Sequence, residues 1–405
     1  MSKEKRRVPK LRFPGFTEDW EQRKLSEVVA INPKTELPDE FKYVDLESVV
    51  GTNLLGFQVI KKENAPSRAQ RLASYGDVFY QTVRPYQRNN YLFENVDKDM
   101  VFSTGYAQLR SRLDSYFLLT LVQNDNFVKV VLDNCTGTSY PAINGSELGK
   151  ITVQIPPNEV EANQIGKIFR RIDKSITLHQ RKLNNLKLKK KALLQKLFPK
   201  NGERYPELRF PGFTDAWEQR KLNEFLSVSN LKNAENKYNK KDVLSVSGDY
   251  GIVNQIDFQG RSFAGASVSN YGVVEKGDIV YTKSPLKLNP YGIIKTNRLN
   301  NGIVSTLYAI YKTKENCDSK FIEHYFNLDS RLNQYLKPLV NKGAKNDMKV
   351  SSENALIGEV CFPKITEQVL IADLLDCLDI YITLHQRKLD HLQLQKKALL
   401  QQMFV

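Results

Sequence analysis

The chain has 405 residues, with 60 Lys and Arg against 45 Asp and Glu, a formal net charge of +15 and a pI of about 9.4. That length exceeds one ordinary core and predicts two or more domains; 41% hydrophobic and 10% aromatic residues exclude a disordered chain. The basic excess points to a polyanionic partner, no run approaches the roughly 18 apolar residues that cross a bilayer, and Cys135, Cys317, Cys361 and Cys377 form no CxxC pair, so a cytoplasmic protein with free thiols and no membrane contact is expected.

Met1 to Lys10 is charged and has no apolar stretch behind it. The first notable segment follows at once: Pro9 to Glu27 reads PKLRFPGFTEDWEQRKLSE, and Pro206 to Glu224 repeats it as PELRFPGFTDAWEQRKLNE. Fifteen of these 19 positions are identical at an offset of 197, and both tryptophans of the chain, Trp20 and Trp217, fall at matching places. Trp20 to Leu25 reads as the opening of a short helix with Trp20 and Leu25 as apolar anchors, a clamp expected to dock a head onto a scaffold. A second repeat closes each half. Arg170 to Phe198 and Asp376 to Phe404 agree at 18 of 29 positions at an offset of 206. The offset therefore grows by nine residues, which the second copy carries in its interior.

The interiors show little similarity beyond echoes such as Gly76-Asp77-Val78-Phe79-Tyr80 against Gly277-Asp278-Ile279-Val280-Tyr281. Short β-rich runs at 77–80 and 279–281 alternate with Gly, Asn and Pro, and helical stretches at 117–132 and 320–336 interrupt them. A mixed α+β domain is expected in each. The organisation read from the sequence is a conserved segment at 1–27, a first head at 28–157, a long helix at 158–200, the repeated segment at 201–224, a second head at 225–363 and a second long helix at 364–405. The scaffold is kept and the payload changed, so each middle is expected to bind something different.

Both long segments are rich in Leu, Lys, Gln and Ala without Gly or Pro in their repeated parts. Apolar residues recur at alternating four–three spacing at Ile165, Phe169, Ile172, Ile176, Leu183, Leu186, Leu193 and Leu197, and again at Ile371, Leu375, Leu378, Ile382, Leu389, Leu392, Leu399 and Met403. His179 and Lys190 interrupt the first stripe where His385 and Lys396 interrupt the second. A seam of this length predicts a coiled coil, on the order of 50 Å long. Pairing of the two helices is favoured over packing of each on its own head, because the stripe outruns a small head. The seam histidines read as register devices rather than metal ligands, since no carboxylate or Cys accompanies them at ligand spacing. Lys187, Lys189, Lys190 and Lys191 form a basic patch whose default is a solvated face.

Loops after the strands carry the residues suited to reading bases or phosphates. In the first head these are Arg84, Tyr86, Arg88 and Asn89, then Thr104 and Tyr106, then Ser139 and Tyr140. In the second they are Lys283, Lys287 and Asn289, then Lys345 and Asn346. Catalytic signatures are missing from the sequence: it has no GxGxxG, the run Gly145 to Ile151 has the wrong glycine spacing for a phosphate loop, and Asn289-Pro290-Tyr291 lacks a second proline and an upstream cofactor loop.

The two LRFPGFTxxWEQRKL segments at 11–25 and 208–222, GDVFYQTVRPY at 76–86, GTSYPAIN at 137–144 and the ITLHQRKL…KKALLQ helices resemble the specificity subunits of type I restriction–modification enzymes. The resemblance runs over nearly the whole chain, although GAKNDMKV at 343–350 departs from the GTSYPAIN-like run. It implies two mixed target-recognition domains held by an antiparallel coiled coil of two long helices with an internal pseudo-twofold, each domain reading one half of a split DNA site about one turn, roughly 34 Å, from the other. It implies no catalysis and no cofactor on this chain: two methylase subunits would dock on the helices and recruit motor-nuclease subunits, with S-adenosylmethionine, ATP and Mg2+ on those partners. A stand-alone bipartite DNA-binding regulator or architectural protein is the alternative; a nuclease or methyltransferase in its own right has the missing motifs against it.

Overall fold

The structure is a computed structural model that describes residues 7–94, 99–137, 139–200, 202–283, 286, 289–340 and 350–405. The chain divides into two compact units, Met1–Arg181 with Gln386–Val405, and Lys182–His385. The division passes through both long helices, Glu159–Lys196 and Ile365–Gln402, so each unit holds the start of one and the end of the other.

In the first unit a four-stranded sheet runs in the order Val29–Ile31, Tyr106–Ser111, Val78–Gln81, Tyr91–Leu92, all antiparallel. A second sheet has the order Gln58–Lys61, Glu40–Val44, Met100–Ser103, Ala69–Leu72, in which Met100–Ser103 runs parallel to Glu40–Val44. Helices Ser115–Gln123 and Asp125–Asp133 cover the first sheet. In the second unit the equivalent sheet is Leu226–Val228, Tyr308–Thr313, Ile279–Thr282, Ile294–Thr296. Its outer layer is reduced to two ladders, Leu244–Ser247 with Gly251–Asn254 and Gly272–Val274 with Gly302–Val304. Helices Ser319–Phe326 and Asp329–Leu336 take the place of the first unit's pair.

The echoed GD dipeptides explain the shared sheet. Gly76 and Gly277 stand at φ +90° and +95°, open to glycine and strained for other residues. The next residue, Asp77 or Asp278, turns its carboxylate back to accept the backbone N–H of Ser74 or Glu275, each at 2.8 Å. The turn thus fixes where each central strand begins.

The helical stretches read at 117–132 and 320–336 are each two helices. In the first unit the break falls at Asn124, whose Oδ1 accepts the N–H of Asn126 at 2.8 Å and so starts a new helix. The reading of Trp20 to Leu25 as a helix opening is corrected. Glu21–Lys24 is a strand paired antiparallel with Thr152–Ile155, as Glu218–Lys221 is with Glu359–Phe362. Glu, Gln, Arg and Lys favour helix, but the tertiary ladder decides. Only a turn follows, Leu25–Val28 as α-helix and Leu222–Glu224 as 3-10 helix.

The clamp reading is seen in the packing of each unit. Trp20 is buried edge-on against Phe117 and against Phe404, at the end of the second helix segment. Trp217 is buried against Phe321 and Phe198, at the end of the first. The Leu11 N–H donates to Gln402 O and the Leu208 N–H to Lys196 O, both at 2.9 Å. Arg12 pairs bidentately with buried Glu161 and Arg209 with buried Glu367, from 2.6 to 2.8 Å. Each repeated segment therefore ties the start of one long helix to the end of the other.

Candidate nucleic-acid interface

Within each unit the start of one long helix lies against the end of the other. In the first unit Ile165, Phe169, Leu399 and Met403 share the core beneath the helix Ser115–Gln123. In the second, Ile371, Leu375, Leu378, Leu193 and Leu197 do the same beneath Ser319–Phe326. The two seam lysines have ion-pair partners on the other helix, Lys396 with Asp173 at 2.6 Å and Lys190 with Asp379 at 2.5 Å. Of the other seam positions, Leu183, Leu389 and Leu392 are buried, and Ile172, Ile176, Leu186 and Ile382 are half-buried. Helix ends thus pack on the heads and on each other, so both packings weighed for the stripe occur.

The first head's loops are built on the end of strand Val78–Gln81. Arg84 and Arg88 both sit in the left-handed region at φ +55°, either side of a 3-10 turn, Pro85–Gln87. Two such residues cost about 1–3 kcal/mol each and persist only where the surroundings over-determine them. Here they do. Buried Gln81 donates from Nε2 to Val83 O and Gln87 Oε1, at 2.7 and 2.8 Å, and its own N–H donates to Asn90 Oδ1 at 2.8 Å. The Arg84 N–H donates to Pro141 O at 2.8 Å, which joins this loop to the Thr136–Ala142 loop. The Arg84 guanidinium lies over the ring of Tyr140 at 4.5 Å. Tyr86 and Tyr140 are 50% and 63% exposed, and Ser139 is exposed beside them. The hairpin of Thr104 and Gly105 adjoins, with Thr82 donating from both N–H and Oγ1 to Gly105 O. The result is a preformed cluster of Arg, Tyr and Ser side chains that can donate to phosphates and base edges or stack on bases.

Two first-head residues turn elsewhere. Arg88 pairs with Asp125 at 2.6 Å and donates to Gln123 O at 3.1 Å. Asn89 accepts the Gly51 N–H at 2.8 Å. Arg88 lines a cleft of about 780 Å³ with Gly51, Asp125, Asp173 and Lys396. Tyr106 is a correction: it is fully buried, edge-on to Phe79 and Phe102, with burial pushing its hydroxyl pKa up, so it is a core residue that no base can reach.

In the second head Lys283 is half-buried, donates to Ser352 Oγ at 3.4 Å, and burial lowers its ammonium pKa. Asn289 is also corrected. It is 8% exposed and its amide donates to Asp329 Oδ1 at 2.9 Å, which makes it a turn anchor. Lys287, Lys345 and Asn346 lie outside the described residues. Sequence reading missed the second head's exposed aromatics: Tyr250, 70% exposed and packed on Phe258, and Phe263 beneath Arg261 at 4.6 Å. For Phe258 and Phe263 the signal that could have found them is their closeness to Arg261, three and two residues away; for Tyr250 it is the Gly248-Asp249-Tyr250-Gly251 turn.

His324, Asp376 and Asp379 bring ligand atoms within 4.8 Å of one another. Arg298 holds Asp376 at 2.7 Å and Lys190 holds Asp379 at 2.5 Å, so these carboxylates already have cationic partners and form an ion-pair network.

Fold and surface together define a duplicated, two-headed binding protein whose variable loops stand on repeated helices. The family model for the "Type I restriction modification DNA specificity domain" matches residues 17–188. A curated Methanocaldococcus jannaschii protein, described as the type I restriction enzyme MjaX specificity subunit, is 22% identical over 422 residues, covering 95% of this chain and 92% of its own. The type I S subunit of M. genitalium shares the fold, with a TM-score of 0.63 at 12% identity over 98% of this chain and 99% of that one. The HsdS subunit of Thermoanaerobacter tengcongensis aligns over 97% of both chains at 21% identity and a TM-score of 0.43. Residues 17–188 thus carry a type I restriction modification DNA specificity domain, and over nearly its whole length the chain is similar to type I specificity subunits. No helix among the described residues is long and apolar enough to cross a membrane.

Proposed function

We propose that this chain is the non-catalytic, sequence-reading subunit of a cytoplasmic type I restriction–modification complex, and that each head reads one half of an asymmetric, bipartite duplex site. The observation that carries the reading is the pairing of one sheet topology with two unlike loop sets. The Arg84–Tyr86–Tyr140 cluster projects from the first head, while Tyr250, Phe258 and Phe263 are exposed on the second. The net charge of +15 suits a phosphate backbone. Two methylase subunits would dock on the repeated helices and recruit motor-nuclease subunits. Adenine methylation with S-adenosylmethionine, and cleavage with ATP and Mg2+, belong to those partners. Sequencing the methylated adenines of a host with and without this chain tests it. The expected result is one split, non-palindromic motif that disappears with the chain; a palindromic motif, or a methylome indifferent to the chain, overturns it.

A further inference from the structure

The repeated helices are closely similar over 176–198 and 382–404, yet their starts differ along one face. At the offset of 206, Ala162, Gly166 and Arg170 of the first helix correspond to Gln368, Ala372 and Asp376 of the second. Spaced four apart, the three lie on one stripe, and each meets its own head.

The heads differ in the complementary sense. Strand register makes Phe79 opposite Tyr91 equivalent to Val280 opposite Lys295. The N–H of Gly76 donates to Phe93 O as that of Gly277 does to Asn297 O. The next residue is Glu94 in the first head and Arg298 in the second. Glu94 pairs with Arg170 at 2.5 Å, and Arg298 pairs with Asp376 at 2.7 Å. One ion pair thus occupies equivalent positions with its polarity reversed.

Neighbouring contacts follow the same division. The helices Ser115–Gln123 and Ser319–Phe326 are capped by Asp114 and Asp318. Two residues on stand Tyr116, under the Arg170 guanidinium and donating to Asp173, and Lys320, beside Asp373 and Asp376. Four further on stand Thr120 and His324, the latter bonded to Asp376 at 2.8 Å. The first head comes so close to its helix that a Cβ at Gly166 would run into the Asp114 carboxylate. The second needs Gln368, whose amide accepts from the Asp318 N–H at 3.1 Å and donates to Asn316 O and Pro363 O.

We infer that this stripe is a key that assigns each head to one helix. The first head on the second helix would set Glu94 against Asp376 and Asp114 against the Ala372 methyl. The second head on the first would set Arg298 against Arg170. The reversed pair and the Gly–Ala exchange therefore match each head to the helix start that follows it in the chain, by repulsion and overlap against the wrong head as well as by attraction to the right one.

The test is a full-length chain in which a second copy of residues 28–157 replaces 225–363. With Gln368, Ala372 and Asp376 in place, hydrogen exchange in the grafted copy of the 115–123 helix should run about ten-fold faster than in the resident copy, as local opening demands. Gln368→Ala, Ala372→Gly and Asp376→Arg together should restore equal protection. Protection that the three substitutions leave unchanged, high or low, overturns the key. A second arm avoids the graft: Glu94→Arg and Arg170→Glu should each speed exchange in 115–123 of the natural chain, and the pair should recover it. A pair as loose as its two singles combined overturns the key as well. Both arms read docking inside the chain, so their failure is distinguishable from a failure of the DNA-reading proposal.

Discussion

The two heads share the framework that faces the helices, apart from the charge-reversed contacts along one stripe, and differ throughout in what faces away. Strand order, the Gly-Asp turn, the Asp-capped helix and buried Phe117 or Phe321 recur in both. The outer layer does not: the first head adds a second four-stranded sheet, and the second has two short ladders with Tyr250 on the turn of one. A buried mounting layer tolerates little change because packing is close, whereas loops at the far edge are free to vary. Divergence concentrated in that outer layer is what two readers of different sequences require.

Substitutions in the shared part should damage the molecule most and without regard to head. Leu186→Asp with Leu392→Asp places two carboxylates in the seam, each costing upward of about 3 kcal/mol; loss of the cooperative thermal transition is expected, and an intact one would contradict the seam. Trp20→Ala and Trp217→Ala should each cost about 3–5 kcal/mol and loosen only their own unit, which hydrogen exchange resolves residue by residue. Smaller and specific to the second head is a pH effect. Burial opposes ionisation of Asp376, but hydrogen bonds from His324 and Arg298 outweigh it and hold the carboxyl at about 2, below its ordinary 3.8. Its charged form therefore stabilises the fold above about pH 4, and that contribution fades as the pH falls toward and through 2. The stability gap between the natural chain and Asp376→Asn should close over that window; a gap independent of pH would remove the carboxylate from the account. The smallest effect is expected of Arg88→Ala, whose guanidinium is tied to Asp125: recognition of the first half-site should weaken modestly with the second unchanged. Loss on both sides would make Arg88 a phosphate or scaffold contact.

Much of the scaffold was legible because repetition and a long four–three stripe are properties of sequence. Seam lysines 190 and 396 stood out as interruptions, but their aspartate partners 379 and 173 lie on the other helix and needed coordinates. The segments 21–24 and 218–221 misled because residues of helical preference are held in ladders by partners more than a hundred residues away. Tyr106 looked like a loop residue beside Gly105, and only the second sheet over it makes it core. The reversed pair of Glu94 and Arg298 was invisible because the heads do not align in sequence; strand register alone equates them.

The independence of the heads is tested most directly by the methylome of a host carrying Arg84→Ala with Tyr86→Ala. These side chains stand on the preformed loop of the first head, away from the seam. The predicted result is a motif that loses definition in one half and keeps the other half and the gap. Equal relaxation of both halves, or an unchanged motif, would contradict two separate readers on one repeated strut.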